Sequence, residues 1–333
     1  MDERGARWLA ILAAGAAVAC TGDKDTTSTD ECNSVLLGSF PDDGAQDVYY
    51  HTVVDAILGQ PEESSSIAVT DGSGAAVAGT VQHDDRRVWF TPDAALTAGE
   101  TYTAVLDWTC GPDQWSFTVG ADAGDPVDPA ALADHTYLMD LTSARYAWPV
   151  GLKAAMQVFL QAHLLLAVDE ASASGIRFSA GSALIPRGGD PLEQDVCSVT
   201  DQWDTLADFP NPDFSVHLDR MSLEVAGDDF VMLDLTVSGS FTPDGERIVG
   251  GAIDGVLDAA SLVTELQADD VEDACRQFAS QGVDCLTCPD GVTVSCIPMV
   301  LDDMTLERLP ADLVPRTADD VANDPTCGAA ATR

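Results

Sequence analysis

The stretch TYTAVLDWTCGPDQWSFTVG, residues 101–120, contains two runs, Thr101–Trp108 and Gln114–Val119, in which apolar and polar side chains alternate on either side of Pro112-Asp113. A period of two puts every second side chain on one face, which is the pattern of a half-buried strand, and a Pro-Asp turn between two such runs predicts a hairpin. Working back from this pair, further strands are expected at Val35–Phe40, Val53–Leu58, Ile67–Thr70, Ala78–Gln82 and Val88–Phe90, with turn signals at Asp42-Asp43-Gly44 and Asp71-Gly72. Short strands at this spacing predict an all-β sandwich over residues 32–120. Alternation places Val88 with Phe90 and Trp115 with Phe117, so these rings and Trp89 read as core rather than as a platform for stacking a sugar.

Four ordered motifs add a family resemblance. They are Phe40-Pro41-Asp42-Asp43-Gly44-Ala45-Gln46-Asp47-Val48, then Val88-Trp89-Phe90-Thr91-Pro92 with Leu96, then Gly99-Glu100-Thr101-Tyr102-Thr103, and finally Trp115-Ser116-Phe117-Thr118-Val119-Gly120. Together they resemble the bacterial Ig-like domain found in surface-layer and other cell-surface proteins. The resemblance implies a sandwich that serves as a spacer or adhesion module, and it assigns no ligand. Tyr102 is expected to pack its ring under a sheet corner while its hydroxyl reaches backbone.

Beyond residue 120 the chain reads as a linker, a second domain and a tail. Residues 121–134 (ADAGDPVDPAALAD) form an acidic linker in which Asp122, Asp125 and Asp128 are weak calcium candidates, because hard carboxylate oxygens suit that ion. Residues 135–310 predict a larger β-rich domain, a curved sheet or partial barrel with a few short helices. Its strands are expected at 135–141, 163–168, 176–180, 214–225, 230–241, 248–257 and 296–306, and its helices at 150–160, 258–266 and 271–281, the last stopped by Gly282. Thr242-Pro243-Asp244-Gly245 is a hairpin turn. Residues 311–333 form a polar tail.

The first nineteen residues predict an export signal. Arg4 and Arg7 precede the apolar run WLAILAAGAAV (residues 8–18), which is too short to span a bilayer of about 30 Å. Ala17-Val18-Ala19-Cys20 resembles a bacterial lipobox, which implies lipidation of Cys20; an ordinary signal cut would fall at the same bond. Residues 20–31 then act as a flexible tether. The resemblance, with Thr21 following the cysteine, implies an outer-membrane lipoprotein, with a secreted protein as the alternative. Setting Cys20 aside leaves Cys32, Cys110, Cys197, Cys275, Cys285, Cys288, Cys296 and Cys327, an even set that reads as disulfides in an oxidising compartment. Cys32 and Cys110 bracket the first domain and are expected to pair, and Cys327 to staple the tail. The four cysteines between 275 and 296 also admit a zinc site, and Cys285-Leu-Thr-Cys288 has the spacing of a redox pair.

The 333 residues carry 15 Lys plus Arg against 56 Asp plus Glu, a formal charge of −41. Such a chain repels nucleic acid and other polyphosphates, which demand cations to release their counterions. It contains no G-x-S-x-G, H-E-x-x-H or phosphate-cradling glycine motif. The most distinctive loop is WDTLADFPNPDF (residues 203–214), where Trp203, Asp204, Asp208, Phe209, Asn211, Asp213 and Phe214 form either a binding mouth or a rigid turn whose rings plug the barrel end. The expectation is therefore a non-enzymatic envelope lipoprotein, held to a membrane by its lipid, with no cofactor. In it an Ig-like spacer presents a binding domain to envelope proteins or polysaccharide. Two alternatives stand beside it: a carrier whose β-domain encloses an apolar ligand among Leu164, Leu166, Val231, Leu233 and Leu235, and a hydrolase of envelope polymers using paired carboxylates such as Asp228-Asp229 or Asp302-Asp303.

Overall fold

The computed structural model describes residues 32 and 34–327, apart from 85, 122–123, 150, 160–162, 185–191, 226–227 and 265. Cys20, the export segment and the tether lie outside the described residues, as does Asp122. Among the described residues no helix is long and apolar enough to cross a membrane.

Eight strands build the first domain: β1 (Leu36–Phe40), β2 (Ala45–Val48), β3 (Val54–Leu58), β4 (Ser66–Thr70), β5 (Gly79–Asp84), β6 (Arg87–Pro92), β7 (Thr101–Asp107) and β8 (Asp113–Val119). They form two four-stranded sheets, ordered β1-β3-β6-β5 and β2-β8-β7-β4. The two enclose one core that includes Val54, Leu58, Val88, Phe90, Leu106, Trp115 and Phe117. The Tyr102 hydroxyl accepts the Thr97 amide at 2.8 Å, and the Cys32–Cys110 disulfide ties the chain ahead of β1 to the turn after β7. Alternation along β6 buries Val88 and Phe90, so Trp89 faces outward, a correction to its reading as core. Sequence reading also missed β2, four residues paired in parallel with β8, because its turn-rich surroundings carry no alternation.

The second domain is one eleven-stranded sheet built from β9 (Thr136–Asp140), β10 (Tyr146–Trp148), β11 (His163–Ser172), β12 (Gly175–Leu184), β13 (Glu193–Gln194), β14 (Asp201–Gln202), β15 (Asp213–Val225), β16 (Asp228–Phe241), β17 (Arg247–Asp258), β18 (Leu286–Thr287) and β19 (Val294–Arg308). The main path runs β13-β12-β11-β9-β19-β17-β16-β15, with β10 and β18 on β19 and β14 on β12. It curves into a half-barrel. Helices α1 (Leu152–Phe159) and α2 (Val271–Ala279) bury Leu152, Met156, Ala274 and Phe278 in its core, together with Leu262 from a 3₁₀ turn at Ala259–Leu262 that replaces the longer helix expected there.

Curvature comes from extra residues in the central strands. Four residues of β16 (Leu233 to Thr236) oppose three of β17 (Val256 to Asp254), and Asp234 takes φ +48. Four residues of β19 (Leu301 to Met304) likewise oppose three of β17 (Gly251 to Ile253), with Asp303 at φ +53. Such bulges bend and twist a strand, and Asp tolerates the left-handed conformation better than most residues. Each bulge also switches which side chains point inward: Phe230 and Met232 give way to Leu235 and Val237, and Ile297, Met299 and Leu301 to Met304 and Leu306. Val231 and Leu233 consequently lie outside this core, which corrects their expected place beside Leu235.

One further correction and one expectation met concern the connections. The acidic stretch at 121–134 is not a free linker over its second half. Val127 and Leu132 are 3% and 0% exposed within the core of the second domain, and Asp128 accepts the Ala130 amide at the head of a 3₁₀ turn, Pro129–Ala131. The six later cysteines form Cys197–Cys327, Cys275–Cys285 and Cys288–Cys296, which replaces both the zinc and the redox-pair readings. The first of these holds the tail, which contains the short helix α3 (Ala318–Asn323), and Leu313 of that tail packs with Leu165, Ala167 and Ala183 on the convex side.

At Gly250 the backbone of the half-barrel lies against Tyr49 of the Ig-like domain. Gly250 lies at φ +58 in β17, and a Cβ built on it would sit 2.1 Å from Cγ of Tyr49 in the Ig-like domain. The substitution Gly250→Ala is expected to cost about 2–4 kcal/mol, the sum of left-handed strain and overpacking. Gly74→Ala, at φ +84 with nothing within 4 Å of its would-be Cβ, isolates the strain alone and should cost about 1 kcal/mol. Urea unfolding of the two variants measures the difference.

Candidate functional site

Segment 201–214 is the piece that completes the half-barrel. β14 pairs with Ser179 and Ala180 of β12, and Ala207 exchanges backbone hydrogen bonds with Ile176 at 2.8 and 3.2 Å. On the other side Asp208 exchanges hydrogen bonds with Ser215 of β15 at 2.9 and 3.0 Å, and the Asp201 carboxylate accepts the Ser222 amide at 3.2 Å. The segment thus lies between the first and last long strands of the sheet and satisfies donors that a free edge would expose.

Its aromatic residues are spent on packing. Trp203, Phe209 and Phe214 are 4%, 9% and 3% exposed, and the Phe214 ring lies 4.9 Å from Phe178 and 5.2 Å from Phe241. The void that Trp203 helps to line, with Leu164, Met221 and Met232, measures about 10 Å³, room for about one water. The polar residues disperse instead of converging. Asp204 and Asp208 are exposed; the Asn211 amide donates to the Val127 carbonyl at 2.8 Å and accepts the Val127 amide at 2.9 Å; and Asp213 leaves the loop to accept the Tyr50 hydroxyl of the Ig-like domain. Of the calcium candidates, Asp125 is exposed and Asp128 is a turn cap. Among the described residues no three His, Cys, Asp or Glu side chains are grouped to hold a metal ion.

The structure gathers charged groups elsewhere, between the domains. Arg87 of β6 donates from Nε to Asp55 of β3 at 2.8 Å, and its guanidinium lies 4.3, 4.7 and 5.7 Å from the ring centres of Tyr146, Trp89 and Trp148. Arg145 reaches Asp303 of β19 at 3.4 Å and the Gln46 carbonyl at 3.4 Å, while Phe40 packs on Tyr146 at 5.6 Å. Further along, His51 approaches Asp213 at 3.5 Å and the Tyr50 hydroxyl meets Ser240 at 3.3 Å. Asp55 and Asp303 are 1% and 6% exposed. Burial pushes the Asp55 carboxyl up to about 6 against the lowering pull of Arg87, and burial with the neighbouring Asp303 and Asp55 charges pushes Asp302 up to about 6. Burial also raises the Tyr49, Tyr50 and Tyr146 hydroxyls. Sequence reading missed this cluster because its members come from stretches far apart in the chain. The one local signal was the Asp302-Asp303 pair.

A second surface feature is an open groove of about 670 Å³ between α2 and the start of β19, lined by Val271, Ala279, Val294 and the Cys275–Cys285 bridge and rimmed by Glu272 and Asp284. Leu286 and Val294 beside it are 52% and 61% exposed.

The Asn211 clasp makes a direct prediction. Asn211→Ala strands the amide and carbonyl of the buried Val127, which should cost about 1–3 kcal/mol in urea unfolding. Asn211→Asp keeps the acceptor and loses the donor, and should fall between the variant and the native chain.

Comparison with known proteins agrees with this geometry in the first domain. Residues 31–119 match the family model described as bacterial Ig-like domain. No curated protein matches the chain. Among solved structures, CopC from Methylosinus trichosporium OB3b is similar at 20% identity over 26% of this chain and 93% of that one, with a TM-score of 0.23. A cycloalternan-forming enzyme from Listeria monocytogenes is similar at 10% identity over 66% of this chain and 21% of that one, with a TM-score of 0.16. Fold, disulfide, sheet order and family model coincide on one conclusion: residues 31–119 are a bacterial Ig-like domain.

Proposed function

We propose that this chain is a non-enzymatic lipoprotein of the bacterial cell envelope, anchored through Cys20, in which the Ig-like domain holds the half-barrel domain in a fixed orientation for binding. The observation that carries this reading is the interdomain joint. A spacer on a loose linker would let its cargo swing, whereas here Arg87 among three aromatic rings, Tyr49 on Gly250 and Asp213 on Tyr50 lock one domain against the other. Domains of this Ig-like family are typically extracellular or at the cell surface, which agrees with a chain rich in disulfides. Of the acid pair Asp302-Asp303, Asp303 is engaged by Arg145 at the joint, and the rings of the 203–214 loop are engaged in the core. The partner on this reading is another envelope protein or a polysaccharide.

The anchor is tested by changing Cys20→Ser in a bacterial host that exports the chain and fractionating the cells. The native chain should sediment with membranes and its amino-terminal peptide should carry acyl mass on Cys20, while the variant should move to the soluble fraction. Retention of the variant in membranes would remove the anchor from this reading.

A further inference from the structure

We propose that the groove beside α2 is the docking surface of the half-barrel, and that its occupant is a cationic amphipathic helix of a partner protein. The proposal deepens the binding role given to the half-barrel above and rests on that role, though not on the lipid anchor. It starts from the two sides of α2. Ala274 and Phe278 are buried in the core, whereas Val271, Cys275 and Ala279, spaced four residues apart, line the groove that α2 shares with Val294 of β19. Beside them Leu286 of β18, Val292 in the turn that follows it and Val294 are 52%, 82% and 61% exposed. Among the described residues ten large apolar side chains are exposed, and three of them fall in these nine residues. Single exposed apolar residues are ordinary, but a cluster at the edge of a groove marks a surface that another molecule covers.

Both walls are fixed before anything binds. Cys275–Cys285 ties α2 to the chain entering β18, and Cys288–Cys296 closes the turn from β18 into β19. Within that turn the Asp290 carboxylate accepts the amides of Val292 and Thr293, each at 2.9 Å. Half of the bridged cysteines are thus spent on this short surface segment. A surface held in one shape loses little conformational freedom when its partner arrives.

Charge selects the occupant. Residues 269–294 carry Asp269, Asp270, Glu272, Asp273, Asp284 and Asp290 against one cation, Arg276. That cation is already held, by Glu272 at 3.1 Å and by Asp273 at 3.0 Å. An apolar floor inside an acidic rim repels anionic headgroups and a second copy of a chain with charge −41, and it attracts lysine or arginine flanking an apolar stripe. The nine residues of α2 run for about 13 Å, which gives a partner helix about two to three turns of contact, with its apolar residues on Val271, Ala279 and Val294 and its cations at Glu272 and Asp284.

The test measures fluorescence anisotropy on the full exported chain carrying Cys20→Ser, which is soluble whether or not Cys20 is acylated in the native protein. The probe is a labelled helix of leucine and lysine, about 14 residues long with leucine on one face, compared with the same pattern bearing glutamate for lysine and with a scramble of equal composition. The lysine helix should bind saturably, and both comparison peptides about tenfold or more weaker. Leu286→Ser combined with Val294→Ser leaves the charge unaltered and should weaken binding about tenfold or more, as should Glu272→Gln combined with Asp284→Asn, while Leu37→Ser at the exposed apolar residue of β1 should change it less than about twofold. Undiminished binding by the double serine variant would reduce the effect to diffuse charge and overturn the proposal, as would no saturable binding of the lysine helix or equal binding of the glutamate helix. Dimerisation of the chain that the double serine variant abolishes would give the groove to a second copy and equally overturn it. Should that variant fail to fold by circular dichroism, hydrogen exchange on the chain bound to the lysine helix decides: protection gained at 271–279 and 285–294 supports the docking surface, and protection gained only elsewhere sinks it. None of these outcomes bears on the anchor, which membrane fractionation reads separately.

Discussion

The rest of the structure depends on where the central strands of the half-barrel take extra residues. β17 gains one residue opposite Leu306 and Met304, and β19 gains one opposite Gly251 and Ile253, so the irregularities sit side by side in one ladder. A regular sheet could neither curve enough to wrap its core nor bring Asp302 and Asp303 together on the side that meets the Ig-like domain, since successive side chains alternate faces. The left-handed residue Asp303 breaks that alternation at the position where its carboxylate meets Arg145. Gly250, in the adjoining strand, leaves the hollow that Tyr49 fills. Curvature and docking are thus two consequences of the same local departure from the ladder.

The joint so formed is polar at its centre and aromatic around it. A purely apolar contact would hold two domains through area alone and would tolerate sliding. Arg87 admits little of that, because its Nε serves Asp55 while its planar group is stacked among Trp89, Tyr146 and Trp148, and rotation breaks one interaction or the other. Dehydrating those charges offsets much of the attraction they gain, so the net effect on stability is small compared with the effect on geometry.

The first domain was legible because its cause is local. Alternation and turn residues recur within each short strand, and the Ig-like motifs fall in order along the chain. The second domain was legible as a curved β-rich sheet from its long strands, yet its bulges were not, because nothing near Asp234 or Asp303 differs from any other acidic residue in a chain with 56 of them. Extrapolating strict alternation across a bulge is what placed Val231 and Leu233 on the wrong side. Composition misled in the same way at residues 121–134, where four aspartates outweighed Val127 and Leu132, the two residues that decide its place in the core. The 203–214 loop was singled out correctly as distinctive, but sequence cannot tell a ring held by a core from a ring held out for a ligand. That distinction is tertiary.

Acid excess shapes the remaining architecture. With 56 acidic and 15 basic side chains, the compact state works against its own repulsion, and the cations are too few to pair everywhere. Backbone amides take over part of that work: Asp71, Asp128, Asp140, Asp244, Asp258, Asp270 and Asp290 each accept from amides of turns or helix starts, which stabilises a carboxylate without a counter-charge. Covalent closure takes another part. Cys197–Cys327 spans 130 residues and fixes the tail across the convex face, while Cys275–Cys285 and Cys288–Cys296 close short loops next to the groove beside α2. Long closure limits the unfolded chain most in the entropic account, and short closure stiffens a local surface. Scarce cations are then free for positions where nothing else will serve, and Arg87 and Arg145 stand at the one place where two domains must meet through buried carboxylates.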